Sequence, residues 1–209
     1  FASQEVIGSF AGYVNIVTGS LFRIGDRVRI EHVTGDVLDV SILRTTVMEI
    51  GEWVQADQYT GRLVTVANRF VFSDPVFNYT QHWPYLWDEI TIPITYNSDW
   101  RRAGDLMVEH GREYTAHLQV QAEAQLRSLR DTYPVREATV EPTLYLVMTD
   151  NWIELTLRYV VEAQARRQVK TQLHHELLQH FESEAEITVA SATFEIVGFP
   201  PLKSDLRMP

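Results

Sequence analysis

The run His174-His175-Glu176-Leu177-Leu178-Gln179-His180 is the most suggestive chemical feature of the sequence. A zinc-hydrolase helix needs H-E-x-x-H, because histidines four apart share one face and the glutamate between them can act as base. Counting from His175, the fourth residue is Gln179. His180 lies one further, about 140° round a helix from His175. The two imidazoles do not converge on one ion, and the run reads as a solvated helix face. Other chemistry is scarce. There are 0 cysteines, which excludes thiol catalysis, disulfides and thiolate metal sites. No G-x-S-x-G elbow and no phosphate-binding P-loop occurs. The acidic residues are scattered. No catalytic residue, metal ligand or cofactor is predicted, and the chain does not read as an enzyme.

Charge narrows the partners. Lys and Arg number 18 against 28 Asp and Glu, for a formal net charge of -10. Binding to nucleic acid or anionic lipid needs clustered cations that neutralise phosphates, so this chain is a poor candidate. Acidity of this size serves solubility. If part of it lined a solute pathway, it would concentrate cations and repel anions.

The stretch 21–80 organises the rest. Val28 and Ile30 alternate with Arg27, Arg29 and Glu31, and Leu38, Val40 and Ile42 alternate with Asp39 and Ser41. Leu63-Val64-Thr65-Val66 is a third apolar run. Such runs, bounded by glycine, Asp and Asn, predict short antiparallel strands closing into a small β-barrel or sandwich. Gly25-Asp26 and Gly35-Asp36 read as turns, Gly61 as the lead into the third strand, Asn68 as its end, and Pro75 as a strand start.

Five peptides in this stretch carry a resemblance. They are Phe22-Arg23-Ile24-Gly25-Asp26-Arg27-Val28, Gly35-Asp36-Val37, Leu43-Arg44-Thr45-Thr46, Gly61-Arg62-Leu63-Val64-Thr65-Val66-Ala67-Asn68 and Pro75-Val76-Phe77-Asn78-Tyr79. In order and approximate spacing they resemble the cytoplasmic β-domain signature of the MscS family of small-conductance mechanosensitive channels. Phe22, Arg23, Gly25, Asp26, Gly35, Arg44, Thr46, Gly61, Asn68, Pro75, Asn78 and Tyr79 are the matching positions. The sequence departs from the signature at Ala67, where the family usually has proline, at Ser20-Leu21, which replaces Arg-Pro, and in an enlarged hairpin loop over 52–60.

Residues 1–20 contain an apolar run interrupted by Gly8, Ser9, Gly12 and Asn15, too short and polar to span a bilayer, which takes about 20 residues. Phe10, Tyr13, Val14 and Val17 recur at helical spacing. The first residue is Phe1, and the segment reads as the start of a fragment. The resemblance implies the amphipathic end of the last transmembrane helix, with the spanning parts before Phe1. Gly8 and Gly12 share one stripe of such a helix. Glycine there costs about 1 kcal/mol relative to alanine, so a close backbone approach is expected, to a neighbouring subunit's β-domain or an adjacent pore helix. On that reading Gly12→Leu disturbs gating or assembly and Gly12→Ala is mild.

Beyond the β-domain, Trp83, Tyr85 and Trp87 fall in a bridge over 81–87 that is expected to pack an interdomain seam. A strand over 88–95, a helix over 99–130, a hairpin of strands over 143–148 and 152–161, a helix over 163–181 and a last strand over 187–197 follow. The order β-α-β-β-α-β is the ferredoxin-like split motif, and the resemblance implies the same α/β domain over 88–199. The tail 200–209 has little strand character. The expected fold class is therefore α+β: a small Sm-like β-barrel, then a ferredoxin-like βαββαβ domain, preceded by the end of a membrane helix.

The resemblance further implies a multi-pass channel of the cell membrane in which this portion lies on the cytoplasmic side. Copies of the chain would form a homo-heptamer around a vestibule, through which ions and small osmolytes leave the cell under hypo-osmotic shock. Its partners would be itself, the lipid bilayer through the preceding membrane helices, and the permeating solutes, with no nucleic acid. The alternative is a soluble ring-forming scaffold whose Sm-like domain binds RNA, which the acidic balance disfavours.

Overall fold

The structure is a computed structural model that describes residues 2–134, 136 and 138–191. Helix α1 spans Ala2–Gly19. Strands β1 (Arg27–Ile30), β2 (Val33–Val40), β3 (Arg44–Ile50), β4 (Tyr59–Ala67) and β5 (Val76–Asn78) form one antiparallel sheet in the order β4-β3-β2-β1-β5. β4 and β5 stand at opposite ends of this order. A 3-10 helix, Asn68–Phe72, leads from β4 to β5.

Three turn assignments shift. Gly35 and Asp36 lie inside β2, and the β1–β2 turn falls at Glu31-His32, with Glu31 at φ 56°. The glycine serves close approach: a Cβ on Gly35 would lie 2.1 Å from the Met48 carbonyl oxygen on β3. Gly61 lies within β4 at φ 82°, where pairing with β3 slips between Met48 and Ile50. Asn68 opens the 3-10 helix and does not end β4. A second slip between Val37 and Asp39 breaks the expected alternation, leaving Leu38 and Ile42 exposed while Val37 is buried.

The second sheet has the order β6-β8-β7, all antiparallel, from β6 (Tyr85–Ile94), β7 (Thr143–Met148) and β8 (Ile153–Glu162). Val189 bridges Ile94 on the free side of β6, the place of the fourth strand in a ferredoxin-like sheet. Residues 187–191 carry this single bridge with backbone bonds to Pro93 and Thr95, and the rest of the expected strand, 192–197, and the tail 200–209 lie outside the described residues. Helix α2 spans Trp100–Thr132, and the Asp99 carboxylate caps it by accepting from the amides of Arg101 and Arg102. Helix α3 spans Arg166–Ser183 and buries Leu173, Leu177 and Phe181. With Met107 of α2 they cover Ile90, Ile94, Leu155 and Leu157 of the sheet.

β6 begins at Tyr85, so two of the three bridge aromatics belong to the sheet. Trp83 and Tyr85 pack with Leu118, Ala122 and Leu126 of α2 and with Val160 of β8. The Trp83 indole donates to the Ala122 carbonyl at 3.1 Å. These rings fill the second half of the α/β layer, where the long helix needs apolar cover, and do not form a seam between the sheets.

Candidate functional site

The matched residues gather at two ends of the β-body. At one end, the Asn78 side-chain amide donates to the Leu21 carbonyl at 3.1 Å and to Asp26 at 2.9 Å. Its oxygen accepts from the amides of Thr80 and Gln81. Asp26 also accepts from the Arg23 amide at 2.8 Å, and the Gly25 amide donates to the Val37 carbonyl. Phe22 is buried in the β-body core, and the Tyr79 amide donates to the Arg27 carbonyl. Gln81 reaches back to the Ser20 carbonyl, so the exit of α1 is tied to the end of the β-body.

At the other end, Asn68 is buried and fully engaged. Its amide nitrogen donates to the carbonyls of Ser41 at 2.8 Å and Ile42 at 3.2 Å, and its side-chain oxygen accepts from the Thr45 hydroxyl at 2.8 Å. The backbone N–H of Asn68 donates to the Leu43 carbonyl. These bonds fix the 3-10 helix against the β2–β3 corner. Thr45→Val keeps shape but leaves the Asn68 oxygen unpaired, and is expected to cost about 1 kcal/mol in a urea melt. An unchanged midpoint would show that the hydroxyl is dispensable.

Helix α1 rests on this fixed segment. The Cβ position of Gly12 is 2.2 Å from the Asn68 carbonyl oxygen, and that of Gly8 is 3.4 Å from the Arg69 Cβ. Ile16, one turn on, is buried with Val28, Ile30 and Val47. Glu5 pairs with Arg69 at 2.7 Å on the surface. The partner of the glycine stripe here is this chain's own 3-10 helix, where a neighbouring subunit or pore helix was expected. Arg44 and Pro75 are exposed and join neither cluster, Thr46 pairs with Thr65 across β3 and β4, and Gly35 and Gly61 shape strands. Ala67 holds φ -68° and ψ 132°, the backbone that proline would impose, so the departure there leaves the entry to Asn68 unchanged.

Sequence reading missed a buried ion pair. Arg27 and Asp36 are each 4% exposed and meet through two hydrogen bonds, at 2.7 and 3.0 Å. Burial works against the guanidinium charge, but the hydrogen bond and charge of Asp36 outweigh it and raise the Arg27 pKa. The third arm donates to the Ala163 carbonyl at 3.0 Å, joining the β-body to the α/β body. The enlarged loop adds two more arginine links: Arg166 to Asp57 at 3.3 Å and Arg167 to the Gln55 carbonyl at 2.8 Å. An Arg in a strand reads as outward-facing, so nothing in the pattern flagged it.

A second missed group lies between α2 and α3, where His110 and Glu113 face Glu176. Of the 174–180 run only Glu176 enters it directly, and His180 stacks on the His110 ring at a centroid distance of 4.5 Å. Tyr114 donates to the other oxygen of Glu176 at 2.6 Å. That bond, with burial, pushes the Tyr114 phenol up to about 12. His110, Glu113 and Glu176 are the residues able to hold a metal among those described.

The described chain is thus a helix docked by glycine on an asparagine-pinned β-body, followed by a ferredoxin-like body. The family described as "Mechanosensitive ion channel, beta-domain" matches residues 5–81. The match covers α1 and the β-body and stops before the α/β body. An uncharacterized MscS family protein of Archaeoglobus fulgidus is 30% identical over 107 residues, 51% of this chain and 34% of that protein. Another, from Buchnera aphidicola, is 30% identical over 98 residues, 47% of this chain and 31% of that protein. The chain thus spans about a third of the length of these curated relatives. The closed-state crystal structure of Helicobacter pylori MscS shares the fold at TM-score 0.65 and 16% identity, over 96% of this chain and 68% of that one. The cryo-EM structure of Arabidopsis thaliana MSL1 does so at TM-score 0.58 and 15% identity, over 92% and 61%. Among the described residues no helix is long and apolar enough to cross a membrane.

Proposed function

We propose that this chain is the cytoplasmic, vestibule-forming portion of a channel that opens under membrane tension and releases ions and small osmolytes. In this reading residues 1–20 end the last membrane helix, 21–80 form the β-domain and 88–199 the α/β domain, and the full protein is a homo-heptamer. The observation that carries the reading is the division of α1 into two faces. Gly12 and Ile16 dock onto the β-body, while Val6, Ile7, Phe10, Val14 and Val17 are exposed. An apolar face left open beside a docked face suits a helix that lies at a membrane surface and passes its displacement to the body beneath. The matched sequence and the shared fold support the same reading.

Patch recording of the full-length protein in liposomes tests it. Suction is expected to evoke discrete currents with a reproducible threshold, and native mass spectrometry in detergent is expected to return a heptamer. A monomer or dimer with no tension-evoked current would defeat the proposal.

A further inference from the structure

We propose that His110, Glu113 and Glu176 bind one zinc-class divalent cation that clamps α3 to α2. His110 is 7% exposed, and neither ring nitrogen has a hydrogen-bond partner among the described residues. A neutral imidazole carries one donor and one acceptor, so a buried ring with both idle needs a different partner. Its Nδ1 faces Oε2 of Glu113 and Oε2 of Glu176, each at 3.4 Å. That is longer than the usual N–H···O bond of about 2.7–3.2 Å. It matches the edge of a tetrahedron around zinc, where bonds of about 2.0–2.1 Å set neighbouring ligands roughly 3.3–3.4 Å apart. The three ligand atoms all lie within 4.8 Å of one another.

The surroundings fit the same use. His110 and Glu113 stand three apart on α2 and share a face, and Glu176 meets them from α3. The Tyr114 hydroxyl holds Oε1 of Glu176, which leaves Oε2 turned to His110. Hydrogen bonding of a ligating carboxylate by a neighbour is the support such sites require. His180 covers the ring of His110 from the α3 side. One imidazole with two carboxylates selects zinc-class ions over magnesium and calcium, which prefer all-oxygen shells. Tetrahedral coordination leaves one position for water. Because the ligands come from both helices, the bound ion would set how firmly α3 is held on α2.

Calorimetric titration of the purified, chelator-stripped protein with zinc chloride near neutral pH tests this. One equivalent is expected to bind with micromolar or tighter affinity, unaffected by excess magnesium, and to raise the melting temperature. The Glu113 side chain is 63% exposed, so Glu113→Gln does not endanger the fold. It is expected to weaken zinc roughly ten-fold or more, and His110→Ala further. His175→Ala, away from the cluster, is expected to bind as the parent does. Absence of saturable binding would overturn the proposal. So would parental affinity in Glu113→Gln, or loss of binding in His175→Ala alone, which would place the ion on the exposed histidine run.

Discussion

Asp36→Ala is expected to lower the unfolding free energy by about 3–5 kcal/mol, because it strands a buried guanidinium. Arg27 is 4% exposed and keeps its charge, with a pKa raised further by its partner. Without Asp36 its Nε and Nη2 lose their acceptors. The Tyr59 hydroxyl, which donates to the same carboxylate at 2.5 Å, loses its partner too. Removing both charges is a different matter, since a buried pair replaced by apolar groups of similar volume is often neutral. The double variant Arg27→Met/Asp36→Leu is therefore expected to be more stable than Asp36→Ala alone. Urea midpoints at unchanged slope measure both. A loss below about 1 kcal/mol for Asp36→Ala would mean that the pair is not buried in solution.

Gly12→Ala and Gly8→Ala are expected to move stability in opposite directions. Alanine at either position gains about 1 kcal/mol of helix propensity. At Gly8 the new methyl meets the Arg69 Cβ at 3.4 Å, an ordinary contact, so the gain stands. At Gly12 it would stand 2.2 Å from a backbone carbonyl that cannot yield, because the Asn68 side chain pins that segment to Ser41, Ile42 and Thr45. Forced overpacking costs about 1–3 kcal/mol or more, which outweighs propensity. Gly12→Leu should be worse still. This revises the expectation that alanine at Gly12 is mild. Thermal melts of the variants give the sign directly. In the full-length protein a shifted tension threshold for Gly12→Ala, with none for Gly8→Ala, would place the docking in gating. Equal melting temperatures would refute the close approach.

Much of this architecture was legible. The helices expected over 99–130 and 163–181 and the hairpin over 143–161 rest on local periodicity, which survives as a sequence pattern and is met by α2, α3, β7 and β8. What was missed depends on what lies across from a residue. Gly35-Asp36 looks like a turn until β3 is laid against it and the Met48 carbonyl takes the space of a side chain. Arg27 sits where alternation points outward, yet a carboxylate on the neighbouring strand and a carbonyl from the α/β body draw it in. His110 is an unremarkable helical histidine until α3 brings Glu176 to it. Asn68 and Gly12 were singled out separately, and only the folded chain shows that one rests on the other.

Among the described residues, three polar links between the α/β body and the β-body are made by guanidinium groups: Arg27 to Ala163, Arg166 to Asp57 and Arg167 to Gln55. Arginine does not lose its proton in proteins, whereas imidazoles change charge between about pH 5 and 8. The donor side of these links therefore keeps its charge throughout that range. Ionic strength reaches only some of them, since the Arg27 arm is sealed from solvent and screening acts on exposed charges. The Arg27 arm would therefore hold the Ala163 carbonyl through changes of salt, while the more exposed Arg166 and Arg167 links would loosen as screening rises.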